Sequence, residues 1–264
     1  MHEVSKSNPC RFLNNYNTLD VIAVEAALCA ESKGTLFVDN TDNPETFLLW
    51  NESDGFYLAA DSVINFEQIN QTIAQILDTR NTGNSEFVLY IDPKYDSVAG
   101  SVLPVQKCEK LGVLSYHYPN PSEQAIKSIN GFDVVNIDRS FFNSSYQNSE
   151  MVLETIEQTW NSTDAFLKSG FGTAVIHVSD SSVAAFCVTE HVTKTSAEFS
   201  IETMPEFQQK GLATLAGANM LSLCSQQSKD AYWYCTPDNK ASMHLAEKLG
   251  FKHKSSFHVW LFEY

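Results

Sequence analysis

The feature that most constrains the fold is a succession of three strand-like stretches that leads through a polar turn into a helix-like stretch. The strand-like stretches, "GTAVIHV", "SVAAFCVTEHV" and "SAEFSIET", are separated only by brief polar turns. This pattern is typical of consecutive antiparallel strands. The turn "PEFQQKG" follows, and we expect a helix to start near Gln209. Apolar residues at helical spacing predict its buried stripe: Leu212, Leu215, Ala216, Met220 and Leu223.

The elements around this segment predict a mixed α/β domain. "GFDVVNI" reads as a strand, Ser149 is a candidate helix cap, and residues 164–168 read as a short helix. After the central helix come "DAYWYCT" as a strand, "NKASMHLAEKLG" as a helix and "SSFHVWLFEY" as a closing strand. The predicted order is therefore β-α-α-β-β-β-α-β-α-β. We expect an α/β fold with a mixed sheet.

The first half of the chain predicts a second, smaller α/β domain. "GTLFVD", "TFLLW" and "GFYLAA" are short apolar runs between turn residues, typical of antiparallel strands. A helix over 66–77 with Asn65 as its N-cap and the strand "EFVLYID" follow. The softer stretch "YPNPSEQAIKSINGF" then separates the halves. We expect domains over 1–125 and 126–264.

Charge and composition exclude several classes of function. Seventeen Lys and Arg against 32 Asp and Glu leave a net charge of −15, which repels phosphate backbones and argues against nucleic acid as a partner. The start "MHEVSKSNPCRF" has no signal-peptide core, and the run "VIAVEAALCA" is too short to span a membrane. Six scattered cysteines indicate free thiols. We expect a cytoplasmic chain with no membrane partner, either a monomer or a homodimer.

The polar turn has the chemistry of an anion site. The first turn of a helix offers backbone N–H groups without internal partners and the positive end of the helix dipole. Gly211 and Ala213 would let a phosphate approach closely, and Gln208, Lys210 and Thr214 would add donors. A turn that contacts only solvent remains the alternative. GxxxxGK[ST] and GxGxxG are both absent.

The wider pattern resembles a known superfamily. "T-x-P-x-x-Q-x-x-G-x-A", from Thr203 to Ala213, resembles the acyl-CoA pyrophosphate loop of the GNAT acetyltransferases. Asn239, Ser242 and "AEKLGF" lie where that superfamily has an Asn and a helix ending in "LGF". The stretch "GTLFVDNTDNPETFLLWNESDGFYLAAD" further resembles the two-domain group that includes zwittermicin A resistance-type acetyltransferases.

This resemblance implies a fold and a co-substrate. It implies a GNAT fold in the C-terminal half, and a degenerate GNAT-like unit is one interpretation of the N-terminal domain. It also implies acetyl-CoA as co-substrate. The implied contacts are Ile201, Thr203, Gln208, Gln209, Lys210, Gly211, Leu212, Ala213, Thr214, Asn239 and Ser242.

Carboxylates on the central strands are the candidates for the catalytic base that the resemblance implies. Strand alternation predicts Glu198 and Glu202 on one face. Glu202 is the first choice because it lies closest to the loop, and Glu190 is the second; exposure of each to solvent is the alternative. A tyrosine serves as the acid in many of these enzymes, but Ala246 stands at that position. The acid stays unassigned, with Tyr234, Cys235 and water as candidates.

These observations predict an acetyl-CoA-dependent N-acetyltransferase that acts on a primary amine of a small molecule by direct attack in a ternary complex. The alternative is a non-catalytic acyl-CoA-binding or interaction module with the same fold, and a plain structural α/β protein is a third interpretation. Seven histidines show no HExxH and no paired spacing, so no metal is expected. The acidic charge favours a cationic acceptor.

Overall fold

The computed structural model divides into two compact units. Unit 1 comprises residues 1–113 and 257–264, and unit 2 comprises residues 114–256. The residues described are 1–4, 9–16, 19, 22–29, 32–52, 55–61, 65–79, 85–105, 107–122 and 128–264. The domain boundary predicted between residues 125 and 126 lies outside these residues.

Unit 1 consists of short strands with helices between them. Its strands are β1 (His2–Glu3), β2 (Thr35–Val38), β3 (Thr46–Trp50), β4 (Gly55–Ala60) and β5 (Glu86–Ile91), together with the end of β12 (Lys252–Glu263). Its helices are α1 (Ile22–Cys29), α2 (Phe66–Thr79) and α3 (Ala99–Val102). The strand β6 (Cys108–Tyr118) begins in unit 1 and ends in unit 2.

The strands β2, β3 and β4 of the sheet of unit 1 are buried on both faces. Its order is β1-β2-β3-β4-β5-β12, and every pair is antiparallel except β4 with β5. Because side chains alternate along each strand, β2 to β4 contribute to two separate cores. One core includes residues of α2 and α3, and the other includes residues of α1. The apolar runs of the first half therefore reflect strands covered on both sides.

Unit 2 contains the three strands that open the sequence argument. Its strands are β7 (Phe132–Asn136), β8 (Gly172–His177), β9 (Ser182–Val192), β10 (Ser196–Thr203) and β11 (Asp230–Cys235). Its helices are α4 (Arg139–Phe142), α5 (Ser149–Thr159), α6 (Thr163–Ser169), α7 (Leu212–Gln226) and α8 (Lys240–Leu249). The sheet order is β6-β11-β10-β9-β8-β7, with only β10 and β11 parallel.

The two units repeat one pairing pattern. Each has an antiparallel series of strands, then a helix that connects two parallel neighbours, then an antiparallel last strand. The last strand of each pattern comes from a distant part of the chain. β12, the final strand of the chain, pairs with β5 in unit 1, and β6, which precedes the other strands of unit 2, pairs with β11. The units are therefore not continuous in sequence, because these pairings are long-range, and the domains over 1–125 and 126–264 stay a prediction.

Most predicted elements are present, with differences at their ends. Asn65 caps α2, since its Oδ1 accepts the backbone N–H of Gln68 at 3.1 Å. The prediction that Ser149 caps a helix is wrong: Ser149 is the first helical residue, and Asn148 precedes it with a left-handed φ of 63°. The central helix starts at Leu212, not near Gln209, because the residues before it turn through left-handed backbone conformations.

Two further expectations concern cysteines and membranes. Cys108, Cys187, Cys224 and Cys235 are free thiols, as predicted. The prediction is wrong for Cys29, which is disulfide-bonded, and the side chain of Cys10 lies outside the described residues. Among the helices described, none combines the length and the apolar character that a membrane crossing requires.

Candidate active site

The two parallel strands of unit 2 part within their length. β10 pairs with β11 only from Ser196 opposite Asp230 to Glu198 opposite Tyr232. The rest of β10 keeps its pairing with β9 up to Thr203, and from Phe199 onward no strand of the part described pairs with its other edge. We call residues Phe199–Thr203 the open edge. Its backbone groups, on the side that faces away from β9, can hydrogen-bond an extended molecule.

The open edge leads to the start of α7 through a turn with a defined backbone. Residues 205–207 form a short 3-10 helix, and Gln209 and Gly211 then adopt left-handed φ values of 60° and 80°. Gly211 is the N-cap residue of α7, and no side chain caps this helix in the part of the chain described. Uncapped N–H groups at a helix start attract an anion.

The side chains of the turn leave room for a ligand. Gln208, Gln209, Lys210 and Gly211 are exposed. Among the residues described, a Cβ added to Gly211 would meet only Ile129 Cδ1, at 3.9 Å, so none of them fills the space over its backbone. Ala213 and Thr214 are half-buried and Leu212 is buried, which anchors the helix start.

Lys210 is held close to the turn. Its Nζ donates to the carbonyl oxygen of Glu206 at 3.1 Å and lies 4.8 Å from the ring centroid of Phe207. The ammonium group therefore adds positive charge beside the helix start. An acyl-CoA pyrophosphate fits this set of groups, because it needs backbone donors, a cation and a close approach.

Asn239 and Ser242, predicted to contact the co-substrate, both have structural partners at the start of α8. Asn239 Oδ1 accepts the backbone N–H of Ser242 at 3.0 Å, which caps the helix. Ser242 Oγ accepts the indole N–H of Trp233 at 2.8 Å. These contacts fix α8 on β11. The predicted contacts of both residues with acetyl-CoA stay predictions.

The three acids of the central strands have different surroundings. Glu202 is exposed, whereas Glu198 and Glu190 are half-buried. His191 Nδ1 lies 3.1 Å from Glu198 Oε2, and one ligand atom from each of Glu190, His191 and Glu198 lies within 4.8 Å of the others. We call these three residues the bulge cluster. His191 is not detectable from the sequence, because alternation along one strand does not reveal how neighbouring strands are offset.

The position of the usual catalytic tyrosine offers no donor. Ala246 is fully buried in α8. Tyr116, on β6, hydrogen-bonds Glu247 of α8, and burial raises the pKa of this phenol. Burial also raises the pKa of the Cys235 thiol, against the opposing effect of its hydrogen bond with Ser242. Neither group therefore releases its proton easily at neutral pH.

A sheet whose two central parallel strands part beside an uncapped helix start can hold an extended, phosphate-bearing molecule, as the resemblance to acyl-CoA-dependent transferases implies. Comparison with known families gives the same answer: the model of the GNAT acetyltransferase family matches residues 14–260. The chain belongs to this family and is an N-acetyltransferase, and the family uses acetyl-CoA as co-substrate.

Individual relatives agree in fold. The chain is 24% identical over 234 residues to an uncharacterized N-acetyltransferase, YdfB, of Bacillus subtilis strain 168, covering 86% of this chain and 85% of the relative. A GCN5-related N-acetyltransferase-like protein from Streptococcus suis superposes with a TM-score of 0.68 at 14% identity, covering 96% of this chain and 97% of that one. A tandem GNAT protein from the clavulanic acid biosynthesis pathway gives 0.60 at 10% identity, covering 99% and 97%.

Proposed function

We propose that the protein transfers an acetyl group from acetyl-CoA to a primary amine of a small molecule, by direct attack within a ternary complex. The observation that carries this proposal is the open edge of β10, which leads directly to the uncapped start of α7. One end can bind phosphates and the other can hold an extended chain by its backbone groups. A molecule with both parts is what this geometry supports best.

The proposed contacts of acetyl-CoA follow from this arrangement. Ile201 and Thr203 lie on the open edge and would bind the pantetheine amides by their backbone groups. Asn239 and Ser242 begin the helix that follows β11. The phosphates would be held by the turn and the first turn of α7, namely Gln208, Gln209, Lys210, Gly211, Leu212, Ala213 and Thr214.

The co-substrate supplies an activated acyl carbon and a thiol leaving group. The acceptor amine must be neutral when it attacks, so residues of the chain must remove its proton. An alkyl ammonium titrates near ~10.4, so a base has to accept its proton at neutral pH. Glu202, Glu190 and Glu198 are the carboxylates of the central strands that can do so. Glu202 is exposed and lies at the end nearest the turn, where the phosphates would bind.

No protein group is proposed as the acid. A thiol with a reference pKa near ~8.5 leaves as a thiolate without assistance, and water can protonate it afterwards. This agrees with the buried methyl group of Ala246 at the position where other family members have tyrosine. The two acids that the sequence suggested, Tyr234 and Cys235, both lie on β11, and burial makes the Cys235 thiol a weaker acid by raising its pKa.

Two features support a cationic small-molecule acceptor. The net charge of −15 attracts cations and repels polyanions. The tandem GNAT protein with a similar fold belongs to a small-molecule biosynthetic pathway by its description, and we carry that context to this chain only as a proposal. Aminoglycoside-like and polyamine-like compounds are the acceptor classes to test first.

Unit 1 is proposed to be a degenerate GNAT-like unit. It has the pairing pattern of unit 2, but β4 pairs with β5 as far as Leu58 opposite Ile91, the last residue of β5. These two strands stay together to the end of β5, so no edge comparable with that of β10 opens. Membership of the two-domain group that includes zwittermicin A resistance-type enzymes is proposed on the same basis and on the sequence resemblance.

The test is a panel of amines assayed for free thiol with acetyl-CoA, with product masses determined. We expect amine-dependent thiol release and a product heavier by one acetyl group for at least one cationic amine. Ala246 cannot donate a proton, which favours the non-catalytic alternative, and that alternative predicts a different assay result. Binding of acetyl-CoA without thiol release for any amine in a broad panel would favour an acyl-CoA-binding module instead.

A further inference from the structure

An irregularity in strand pairing creates the bulge cluster. On β10, Ala197 pairs with Val192 and Phe199 pairs with Thr189. One residue of β10, Glu198, therefore lies opposite two residues of β9, Glu190 and His191. Such a bulge changes the direction of side chains and is common beside active sites. Here it brings two polar side chains of β9 to one carboxylate of β10.

The cluster is a close and largely buried set of polar groups. The side chains of His191 and Glu198 are 9% and 13% exposed, and His191 Nδ1 lies 3.1 Å from Glu198 Oε2. An ionised carboxylate only accepts hydrogen bonds, so the imidazole donates here and its Nδ1 carries the proton. Burial strengthens such a charge-assisted bond, because water screens it less.

The cluster lies where the opening of the sheet begins. Glu198 is the last residue of β10 that pairs with β11, and the open edge starts at the next residue. From Thr203 back to Glu198 is 203 − 198 = 5 residue steps, or about 16 Å of strand. If the phosphates bind at the α7 start, as the proposed function requires, the reactive end of the co-substrate points toward Glu198 and away from Glu202.

We propose that Glu198 is the catalytic residue that accepts the proton of the acceptor amine, and that His191 is the positioning residue that holds its carboxylate. The ammonium form of the acceptor loses one proton to Glu198, and the neutral nitrogen then forms the bond to the acetyl carbon. The bond from that carbon to the CoA sulfur breaks, and the second proton of the nitrogen passes through water to the leaving thiolate. Glu190 adds a second negative charge that attracts a cationic amine. This assignment rests on the proposed function.

The kinetic test compares Glu198→Gln with Glu202→Gln, the competing assignment on the same strand, and uses Glu154→Gln, at an exposed position of α5, as the control. Using the best amine of the panel, we expect Glu198→Gln to lower kcat by about 100-fold or more, since a general base typically contributes 10²–10⁴-fold. Glu202→Gln should lower kcat by much less than Glu198→Gln, Glu154→Gln should stay within about threefold of the wild type, and acetyl-CoA should stabilise all three variants against heat as it does the wild type. An inactive Glu202→Gln beside an active Glu198→Gln would overturn the assignment.

His191 is tested by rescue. His191→Asn keeps an N–H donor near the position of Nδ1, whereas His191→Phe keeps the ring and loses the donor. We expect His191→Phe to lower kcat about tenfold or more with little change in KM and to displace the acidic limb of the kcat profile. His191→Asn should recover much of the loss. Equal losses in both variants would indicate a packing role and contradict the proposal.

If the protein accepts no amine, the proposed function alone fails. A spectroscopic measurement then still tests the hydrogen bond between His191 and Glu198. The Nδ1 proton of His191 should give a downfield, exchange-protected resonance that moves upfield in Glu198→Gln, because an amide oxygen is a weaker acceptor. Glu202→Gln should leave it unchanged, and absence of this dependence overturns the pairing. Loss of activity on chelation, restored by a divalent metal ion, would also overturn it and identify the cluster as a metal site.

Discussion

At the scale of single residues, Gly211 connects backbone conformation with binding. Its φ of 80° is unfavourable for any residue with a side chain, and the described residues leave the space over its Cα open. Gly131 is a matched position: its φ is 83°, and a Cβ there would meet no atom of the described residues within 4 Å. Both glycines are needed for the turn of the chain, but only Gly211 lies at the start of α7.

This difference gives the first prediction. Gly211→Ala and Gly131→Ala should each lower the free energy of unfolding by about 1–2 kcal/mol, the cost of a left-handed alanine. Only Gly211→Ala should weaken acetyl-CoA binding, roughly tenfold, if one charge-assisted hydrogen bond to the pyrophosphate is lost. Urea unfolding and calorimetric titration measure the two effects. Equal affinities in the two variants would show that the phosphates bind elsewhere.

A buried thiol gives a prediction about pH. Burial raises the pKa of Cys224 from 9.0 to about 12. Because the folded pKa is the higher one, the folded state is not penalised below pH 9 and loses stability as the pH rises from 9 toward 12. At about pH 10 the loss is about 1.4 kcal/mol. Urea unfolding at about pH 8 and pH 10 should show this loss in the wild type.

The control for this prediction is Cys224→Ala, which removes the titrating group. Its free energy of unfolding should be lower than that of the wild type at both pH values, because a cavity remains. However, its decrease between the two pH values should be smaller by about 1.4 kcal/mol. Parallel decreases in the wild type and the variant would show that this thiol does not titrate as its burial implies.

At the scale of elements, local patterns were sufficient for most strands and helices. The alternation and turn residues of "GTAVIHV" and its successors predicted β8, β9 and β10, because side-chain periodicity is a local property. The bulge opposite Glu198 could not be predicted in this way. It is an offset between two strands, and an offset leaves no mark on the periodicity of either one. Glu202 was the first choice because it lies closest to the loop, and that assignment stays a prediction.

The cap of α8 gives a prediction at this scale. Asn239→Ala removes the side-chain acceptor of the Ser242 N–H and should lower the free energy of unfolding by about 1 kcal/mol. Asn239→Asp keeps an acceptor and should be near the wild type in stability, as thermal or urea unfolding would show. If Asn239 also contacts acetyl-CoA, both variants should bind it more weakly. Normal affinity in both would reduce its role to that of a cap.

At the scale of the whole chain, both units have the same strand-pairing pattern, but the two parallel strands part within their length only in unit 2. β4 and β5 stay paired to the end of β5, whereas β10 and β11 part after Glu198. The sequence indicated the mixed α/β class and two parts of the chain. It could not indicate that β6 and β12 are exchanged between the two patterns, because such pairings depend on contacts far apart in sequence. The motif at Thr203–Ala213 identified, from the sequence, the half of the chain in which the parallel strands part.

Calorimetric titration with acetyl-CoA tests the central claim, that only the parted strands of unit 2 hold the co-substrate. The account predicts one molecule bound per chain, weakened in Gly211→Ala and unaffected in Gly131→Ala. Hydrogen exchange on the same samples should show protection of Phe199–Thr203 and of the start of α7 on binding. Two molecules per chain, no binding at millimolar concentration, or protection confined to other segments would contradict it.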